Sequence, residues 1–450
     1  MINKQLIMPE ISELIKKKKW SELRESVEDW PIPEIADLMQ TLEKQDRVVF
    51  FRILPRHMSA AVFSHFEPEQ QNSLLVELTD DETRQLLSNL APDDRTALLD
   101  ELPAQVTQQL LSLLSPQDLK EARSLLGYPE ESAGRLMTPD YLSVRPHWTI
   151  GQALDHIRKM GRQSETINVI YVTDPGGKLL DALDLQLFIL SNPDKKVEEI
   201  MDDTFISIPA FADREEAVQT VQKYDKTVLP VVDSEGMLLG IVTIDDLLDV
   251  AEEEATEDFQ KGAAVAPLRT SYREATIWDL FSKRISWLII LVFVNLVSSG
   301  VIEAFEEVLA SAIALAFFIP LLIDSGGNAG AQSATLMVRA IAIGDIKLRQ
   351  WLQTVGKEVL VGIALGVAMG AASWALGLYR GGAEIGIVVG LSMVLIVLVA
   401  NIIGTLLPFL LTRLNIDPAV ASSPLITTIV DAAGLLIYFS IASLVIGVTM

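Results

Sequence analysis

Asp431 stands in the middle of ITTIVDAAGLLIYFS, residues 426–440, a run otherwise apolar enough to cross a membrane. A carboxylate at that depth costs about 2.5 to 3.5 kcal/mol on insertion scales, whereas each Leu, Ile, Phe or Val contributes only about 0.3 to 0.6 in return. No basic residue shares its span, so Asp431 reads as a residue of a polar pathway. A second apolar run, PLLIDSGGNAGAQSATLMVRA, carries Asp324, Ser325, Asn328, Gln332 and Ser333, and the last run adds Thr427 and Thr428. Pro320, Gly326, Gly327 and Gly330 are expected to interrupt the helix there, and irregular backbone at membrane depth survives only where it is buried in protein or lines water. The two segments are therefore expected to face each other across a polar path. Helix-to-helix adhesion through small and amide residues is the alternative, above all for Gln332 and Ser333. The available donors are carboxylate, hydroxyl, amide and carbonyl oxygens, which suit magnesium, calcium or manganese. Magnesium sheds water reluctantly, so a wide site with few carboxylates could hold it through its hydration shell. One Asp per chain is a weak site, and a twofold dimer would double the charge on its axis.

A second chemically loaded stretch is DDLLDVAEEEATEDF, residues 245–259, with eight acidic residues and no base. On a helix, Asp246, Asp249, Glu253 and Glu257 fall three or four apart, where like charges repel by a few tenths of a kcal/mol per pair. The first lysine after them is Lys261. Divalent cations could offset the repulsion; a solvated acidic face is the plainer reading.

The elements that must position these residues fall into three blocks of the 450-residue chain. Up to about residue 280 the sequence is charged and soluble in character, and beyond that nearly every window is apolar. The net charge of −24 argues against nucleic acid as a partner and suits cations. There is no cysteine, which excludes disulfides and thiolate chemistry. His57, His65, His147 and His156 are scattered and read as ordinary helix and loop residues. No arrangement of nucleophile, base and oxyanion donors is visible, so catalysis is not expected. The first residues, MINKQLIMPEISELIKKKKW, lack a signal-type apolar core, and the soluble part is expected to stay in the cytoplasm.

In the first block an apolar residue recurs every twelve positions, at Leu54, Phe66, Leu78, Leu90, Leu102 and Leu114, often just before a Pro or acidic helix start. This predicts an all-α superhelical stack of short helices, with a plain helical bundle as the alternative. In the second block LMTPDYLSVRPHWTIGQAL, from Leu136, aligns with IMDDTFISIPAFADREEAV, from Ile200, and VIYVTDPGGKLLDAL aligns with LPVVDSEGMLLGIVT. Each copy reads as strand, helix, strand, turn, strand, helix, and two copies predict a pair of α+β modules. The motifs LMTP and TVLPVVDSEGMLLGIVTIDDLLDV resemble cystathionine β-synthase-type (CBS) domains. That resemblance implies adenine nucleotide binding through a Thr and an Asp, here Thr243 and Asp246 in the second copy. The first copy has Asp184 and Leu187 at those positions. In the third block five apolar spans are expected, at about 285–301, 308–342, 359–379, 385–411 and 424–448. Lys283, Arg284, Arg339, Lys347, Arg349, Lys357 and Arg413 then fall on one side and Glu303, Glu306 and Glu307 on the other. The basic side is expected to be cytoplasmic, which places the C-terminus outside, in the periplasm or the extracellular space, across an inner or plasma membrane.

Taken together, PLLIDSGGNAGAQSATLMVRA, NIIGTLLPFLL, IDPAVASSPLITTIVDAAGLLIY and the CBS pair with its acidic exit resemble the MgtE family of magnesium channels over essentially the whole chain. The resemblance implies a homodimer in membrane lipid, built from a helical domain (1–130), two CBS domains (131–198 and 199–254), a connecting or plug helix (255–283) and an all-α five-helix transmembrane domain (284–450). It implies a magnesium-selective pore with Asp431 as selectivity carboxylate, the Thr427 carbonyl beside it and Asn328 on the matching helix. It further implies gating by internal Mg2+ held at Asp93, Glu215, Asp225, Asp246, Asp249, Glu254, Glu257, Asp258 and Asp417, with ATP as a further ligand of the CBS pair. Ala331, Ala61 and Ala97 depart from polar or acidic family positions. A proton-coupled secondary transporter of divalent cations such as Mn2+ or Co2+ is the competing reading.

Overall fold

A computed structural model describes residues 11, 13–66, 68–102, 104–268, 272 and 275–447. Most of the N-terminal stretch, Glu67 and Pro103 of the helical repeat, the side chain of His57 and the expected end of the last span at Val448 lie outside the described residues. The chain divides into two compact units, residues 1–251 and 252–450, and each is considered by itself.

The first unit begins with short helices: α1 Trp20–Val27, α2 Ile32–Gln40, α3 Lys44–Ile53, α4 Arg56–Ser64, α5 Pro68–Leu75, α6 Asp80–Asn89, α7 Pro92–Glu101, α8 Ala104–Leu113 and α9 Pro116–Leu125. The twelve-residue period sets where they stop. Leu54, Leu90 and Leu102 each follow the last helical residue with ψ of 146°, 143° and 150°, an extended conformation that ends one helix and turns the chain into the next. All three are buried, as are Phe66 and Leu114, so each repeat drives its corner into a core shared with its neighbours. Local capping reinforces the starts: Thr79 and Glu82 form a reciprocal capping box at α6, and Ser115 caps α9.

After the short helix α10 (Ala133–Leu136) come the two modules, β1 Ser143–Val144, α11 Ile150–Met160, β2 Val169–Thr173, β3 Leu179–Asp184 and α12 Leu185–Leu190, then β4 Ile208–Pro209, α13 Arg214–Tyr224, β5 Val228–Val232, β6 Leu238–Thr243 and α14 Ile244–Gly262. Both sheets have one parallel and one antiparallel pairing, with a register shift near the end of β2 and of β5. The order expected from the internal repeat is therefore present twice. The hairpins interlock: Leu179 N donates to Gly236 O at 3.0 Å and Leu238 N to Gly177 O at 3.1 Å, over a shared apolar core of Tyr171, Leu179, Val228, Leu238 and Ile241.

The second unit takes in the later residues of α14, which runs on from the first unit, and then α15 (Ile277–Ala304), α16 (Glu306–Ser311), α17 (Ile319–Ala342), α18 (Trp351–Arg413) and α19 (Ser423–Ile446). Four of these helices are long and apolar enough to cross a membrane. One of them, α18, is 63 residues and contains Gly382 at φ 84°, ψ −173°, outside the helical region, so it is two spans joined at a sharp turn. Gly366 faces Val394 and Gly370 faces Gly390, which makes the halves an antiparallel hairpin. Five spans result, as the hydropathy pattern indicates. The second span differs from expectation. Its break falls at Ala312 and a 3₁₀ turn, Ile313–Phe318, whereas Pro320 lies in the first turn of an uninterrupted α17 and the three glycines lie inside it. Pro is tolerated in the first turn because its missing N–H has no helical partner there. The glycines serve close approach: a methyl group on Gly327 would lie 2.8 Å from Thr427 Cγ2, and one on Gly330 3.0 Å from Ile426 Cγ2. These pairings make α17 and α19 antiparallel. Tyr438 OH, at the far end of α19, donates to Leu315 O at 2.9 Å.

The closest approach lies between α17 and the second half of α18, where a methyl group on Gly404 would run into the Gly330 carbonyl. Gly404→Ala should destabilise the full chain in detergent by about 1–3 kcal/mol, read as a lower unfolding temperature. Gly356→Ala, where nothing lies within 4 Å, should be neutral or slightly stabilising.

Candidate functional site

Helical spacing puts Asp324, Asn328, Gln332, Thr335 and Arg339 on one face of α17, and in the single chain all five are exposed. The glycine face lies opposite, against α19 and α18. A polar stripe on a helix of this length cannot face lipid, because hydrocarbon offers its groups no partners. On α19, Ser423, Thr427 and Asp431 are four apart and share a face. The antiparallel register of Gly326 with Val430 and Gly330 with Ile426 brings Asp324 level with Asp431. Asn328 Nδ2 donates to Asp324 Oδ2 at 3.3 Å. Asp431 Oδ1 is buried with no hydrogen-bond partner among the described residues.

Not every polar residue of these spans joins that path. Thr428 is buried and its hydroxyl donates to Pro424 O at 2.8 Å, one turn back, which is packing. Ser333 is buried and donates to Glu358 Oε2 at 3.2 Å, behind the stripe. Glu358 escaped the sequence reading because the third span was taken to begin one residue later, at Val359.

In the first unit, carboxylates from three separate segments converge. Asp93 and Asp94 open α7, Glu165 lies in the loop after α11, and Asp245 and Asp246 open α14. Burial, then Asp246, Asp94 and Glu165, push the Asp93 carboxyl well above the usual range, and one of its oxygens has no partner. Burial likewise raises Asp246 to about 6, against a lowering hydrogen bond from Thr243. Burial and neighbouring acids also raise Asp94 and Glu165. Buried Asp181 is a contrast, since it accepts from the N–H groups of Ala182, Asp202 and Asp203 at 2.8 to 3.2 Å. Desolvation together with crowding by other acids distinguishes the Asp93–Asp246 group, where the few donors present do not offset it. Of these acids, Asp93 and Asp246 were expected; Asp94 and Glu165 carry no sequence signal beyond their charge.

Other expected ligands are dispersed. Glu215 opens α13 and Asp225 closes it in a left-handed conformation at φ 51°, so about 15 Å of helix separates them and no single ion touches both. Asp249 and Glu254 lie further along α14. In the second unit Glu257 and Asp417 are both paired with Lys261. Burial and then Asp417 raise the Asp258 carboxyl, with Lys261 and Arg339 opposing. Among the described residues no three acidic or histidine side chains are arranged as a closed metal site. Oxygen-only donors spread around open space suit an ion that keeps its water.

For a nucleotide, the second-copy pair is closed on itself, with Thr243 Oγ1 donating to Asp246 Oδ2 at 2.6 Å. A cleft of about 510 Å3 is lined mostly by the first copy, through Asn168, Asp184, Leu185, Gln186 and Leu190, with Thr227 of the second copy also in its wall.

Comparison with known proteins covers all three blocks. Residues 319–441 match the model of the MgtE divalent cation transporter family, residues 30–131 that of the MgtE intracellular N domain, and residues 133–185 and 197–253 that of the CBS domain. The chain is 40% identical to the magnesium transporter MgtE of Thermus thermophilus over 94% of its own length and 95% of the relative's. It is 36% identical to that of Enterococcus faecalis over 96% and 95%. The cytosolic domain of the Mg2+ channel MgtE, solved in complex with ATP, superposes with a TM-score of 0.51 at 37% identity, covering 53% of this chain and 98% of that one. The soluble part of a magnesium transporter gives 0.54 at 29%, covering 56% and 100%.

The raised Asp246 carboxyl has a measurable consequence. It titrates near 6 in the folded chain and at the ordinary 3.8 when unfolded, so the folded form holds the extra proton between those values. Stability from this source is full below about 4 and is lost as pH rises through about 6, to the extent of roughly 3 kcal/mol. With chelator present, the unfolding temperature of the full chain should fall from pH 5 to pH 7, Mg2+ should restore it, and Asp246→Asn should flatten both responses.

Proposed function

Because this chain belongs to the MgtE family, we propose that it carries Mg2+ across a cell membrane along a path lined by α17 and α19. The observation that carries this reading is the exposed polar stripe of α17 level with the unpartnered carboxylate of Asp431. Each chain supplies one half of a wall, and two copies related by a twofold axis would set two stripes and two Asp431 side chains around one aqueous path. An ion that keeps its hydration shell needs charge and hydrogen-bond acceptors rather than a tight cage, which these helices offer. Asp431 then acts as the selectivity carboxylate, the Thr427 carbonyl and Asn328 as second contacts to the ion's water. The basic residues at the ends of the five spans put the chain leading into α15 in the cytoplasm and the C-terminus outside.

Internal Mg2+ regulates this path in the proposed reading. The support is the convergence of Asp93, Asp94, Glu165 and Asp246, whose desolvation and mutual repulsion make their ionised state unfavourable until a cation joins them, with Asp245 adding its charge beside them. Loss of that cation restores the repulsion between α7 and α14 and loosens the cytosolic unit. Glu215 and Asp225, at opposite ends of α13, can take part only by meeting acids from elsewhere, such as a second copy. ATP is the further ligand of the CBS pair in this reading, with Thr243 and Asp246 of the second copy and the cleft around Asp184 as its two contact regions.

Flux measurements in proteoliposomes separate pore from sensor. A divalent ion about 4 Å from a lost charge forfeits several kcal/mol at an effective dielectric constant of about 20, so Asp431→Asn and Asp431→Ala should lower Mg2+ influx at least about a hundredfold. Combined Asp93→Asn and Asp246→Asn should leave influx intact and raise the internal Mg2+ needed to stop it. Wild-type influx that tracks an imposed pH gradient would favour the proton-coupled transporter instead.

A further inference from the structure

The acidic hinge is followed by a single base, and the second unit places that base among its carboxylates. Lys261 Nζ donates to Asp417 Oδ2 at 2.6 Å and also pairs with Glu257, one turn earlier on α14. Both oxygens of Asp417 are engaged, because its Oδ1 accepts from Ala419 N at 2.8 Å. The ammonium is 26% exposed and its two partners 24% and 36%, so the group is partly withdrawn from water and is not a mobile surface pair.

We propose that Lys261 is a tethered counter-ion that competes with a divalent cation for Glu257 and Asp417, and so sets how much of that cation the last turn of α14 needs before it responds. This rests on the reading of the hinge acids as a divalent-sensing site. A protonated amine has no lone pair and cannot ligate a metal, so it can only exclude one. Magnesium approaches a carboxylate oxygen to about 2.1 Å, and the oxygen it would use on Asp417 is the one Lys261 holds. A group on a short flexible tether acts at an effective concentration on the order of millimolar. The apparent dissociation constant of the ion is therefore raised by the ratio of that concentration to the dissociation constant of the ion pair itself. With the ion absent, Lys261 still ties α14 to the turn before α19, so the contact survives in the metal-free chain.

The test uses the full chain in detergent, with Mn2+ as a paramagnetic probe of divalent binding followed by electron paramagnetic resonance. Lys261→Met keeps the stem and removes the charge, and should bind Mn2+ at one site about tenfold more tightly than wild type, a modest share of one charge-to-charge interaction near a surface. Lys261→Gln, as an independent variant, should do the same, and Lys261→Arg should behave as wild type. Adding Asp417→Asn to Lys261→Met should abolish the gain. Mn2+ binding that is unchanged or weaker in both neutral variants, or a gain that survives Asp417→Asn, overturns the proposal. Inhibition of Mg2+ influx by internal Mg2+ is measured separately. A gain in Mn2+ affinity with no change in that inhibition counts against the sensing role of the hinge and leaves the competition standing.

Discussion

A carboxylate inside a hydrocarbon layer needs water, a counter-charge or a cation, and Asp431 has no basic partner among the described residues. The architecture of the second unit follows from that constraint. Polar groups line one face of α17, glycines line the other, and the glycines let α19 approach until Asp431 stands level with Asp324. Bulkier residues at Gly326, Gly327 and Gly330 would push α19 outward and leave the carboxylate in lipid. Close packing on one side of α17 and wetness on the other are two aspects of one requirement.

The same electrostatic rule operates in the first unit, with water nearby instead of lipid. Asp93 and Asp246 belong to different elements, yet Asp246 raises the cost of ionising Asp93, and Asp94 and Glu165 raise that of both. Such a group is poised, since a shared cation removes the penalty and its departure restores it. Asp181 indicates how the fold treats a carboxylate meant only for structure: it surrounds it with backbone donors. Lys261 is a third solution, a counter-charge carried by the chain itself. Satisfied, crowded and self-countered carboxylates therefore coexist in one protein, and they differ in how far each depends on an external ion.

Departures from the family pattern can be located against this background. Ala61 lies on α4 and Ala97 on α7, where the resemblance implies acids, while Asp94 and Glu165 are drawn into the group around Asp246 by the fold. In the CBS pair a cleft lies at Asp184, the position that lacks the expected threonine, while Thr243 of the second copy donates its hydroxyl to Asp246.

Periodicity carried the local architecture: the twelve-residue spacing of Leu54, Leu90 and Leu102 marks helix corners, the internal repeat marks two identical sheets, and hydropathy marks five spans. The membrane carboxylate was legible too, since its cost is visible in any apolar run. Long-range placement was not. Nothing in the local sequence says that Glu165 meets Asp246, that Ser333 turns to Glu358, or that Lys261 reaches Asp417 across more than 150 residues. Nor did Pro320 and the α17 glycines announce that they permit a continuous helix. Propensity and hydropathy are properties of short windows, whereas the neighbours that decide whether a charge is satisfied are chosen only when the helices pack.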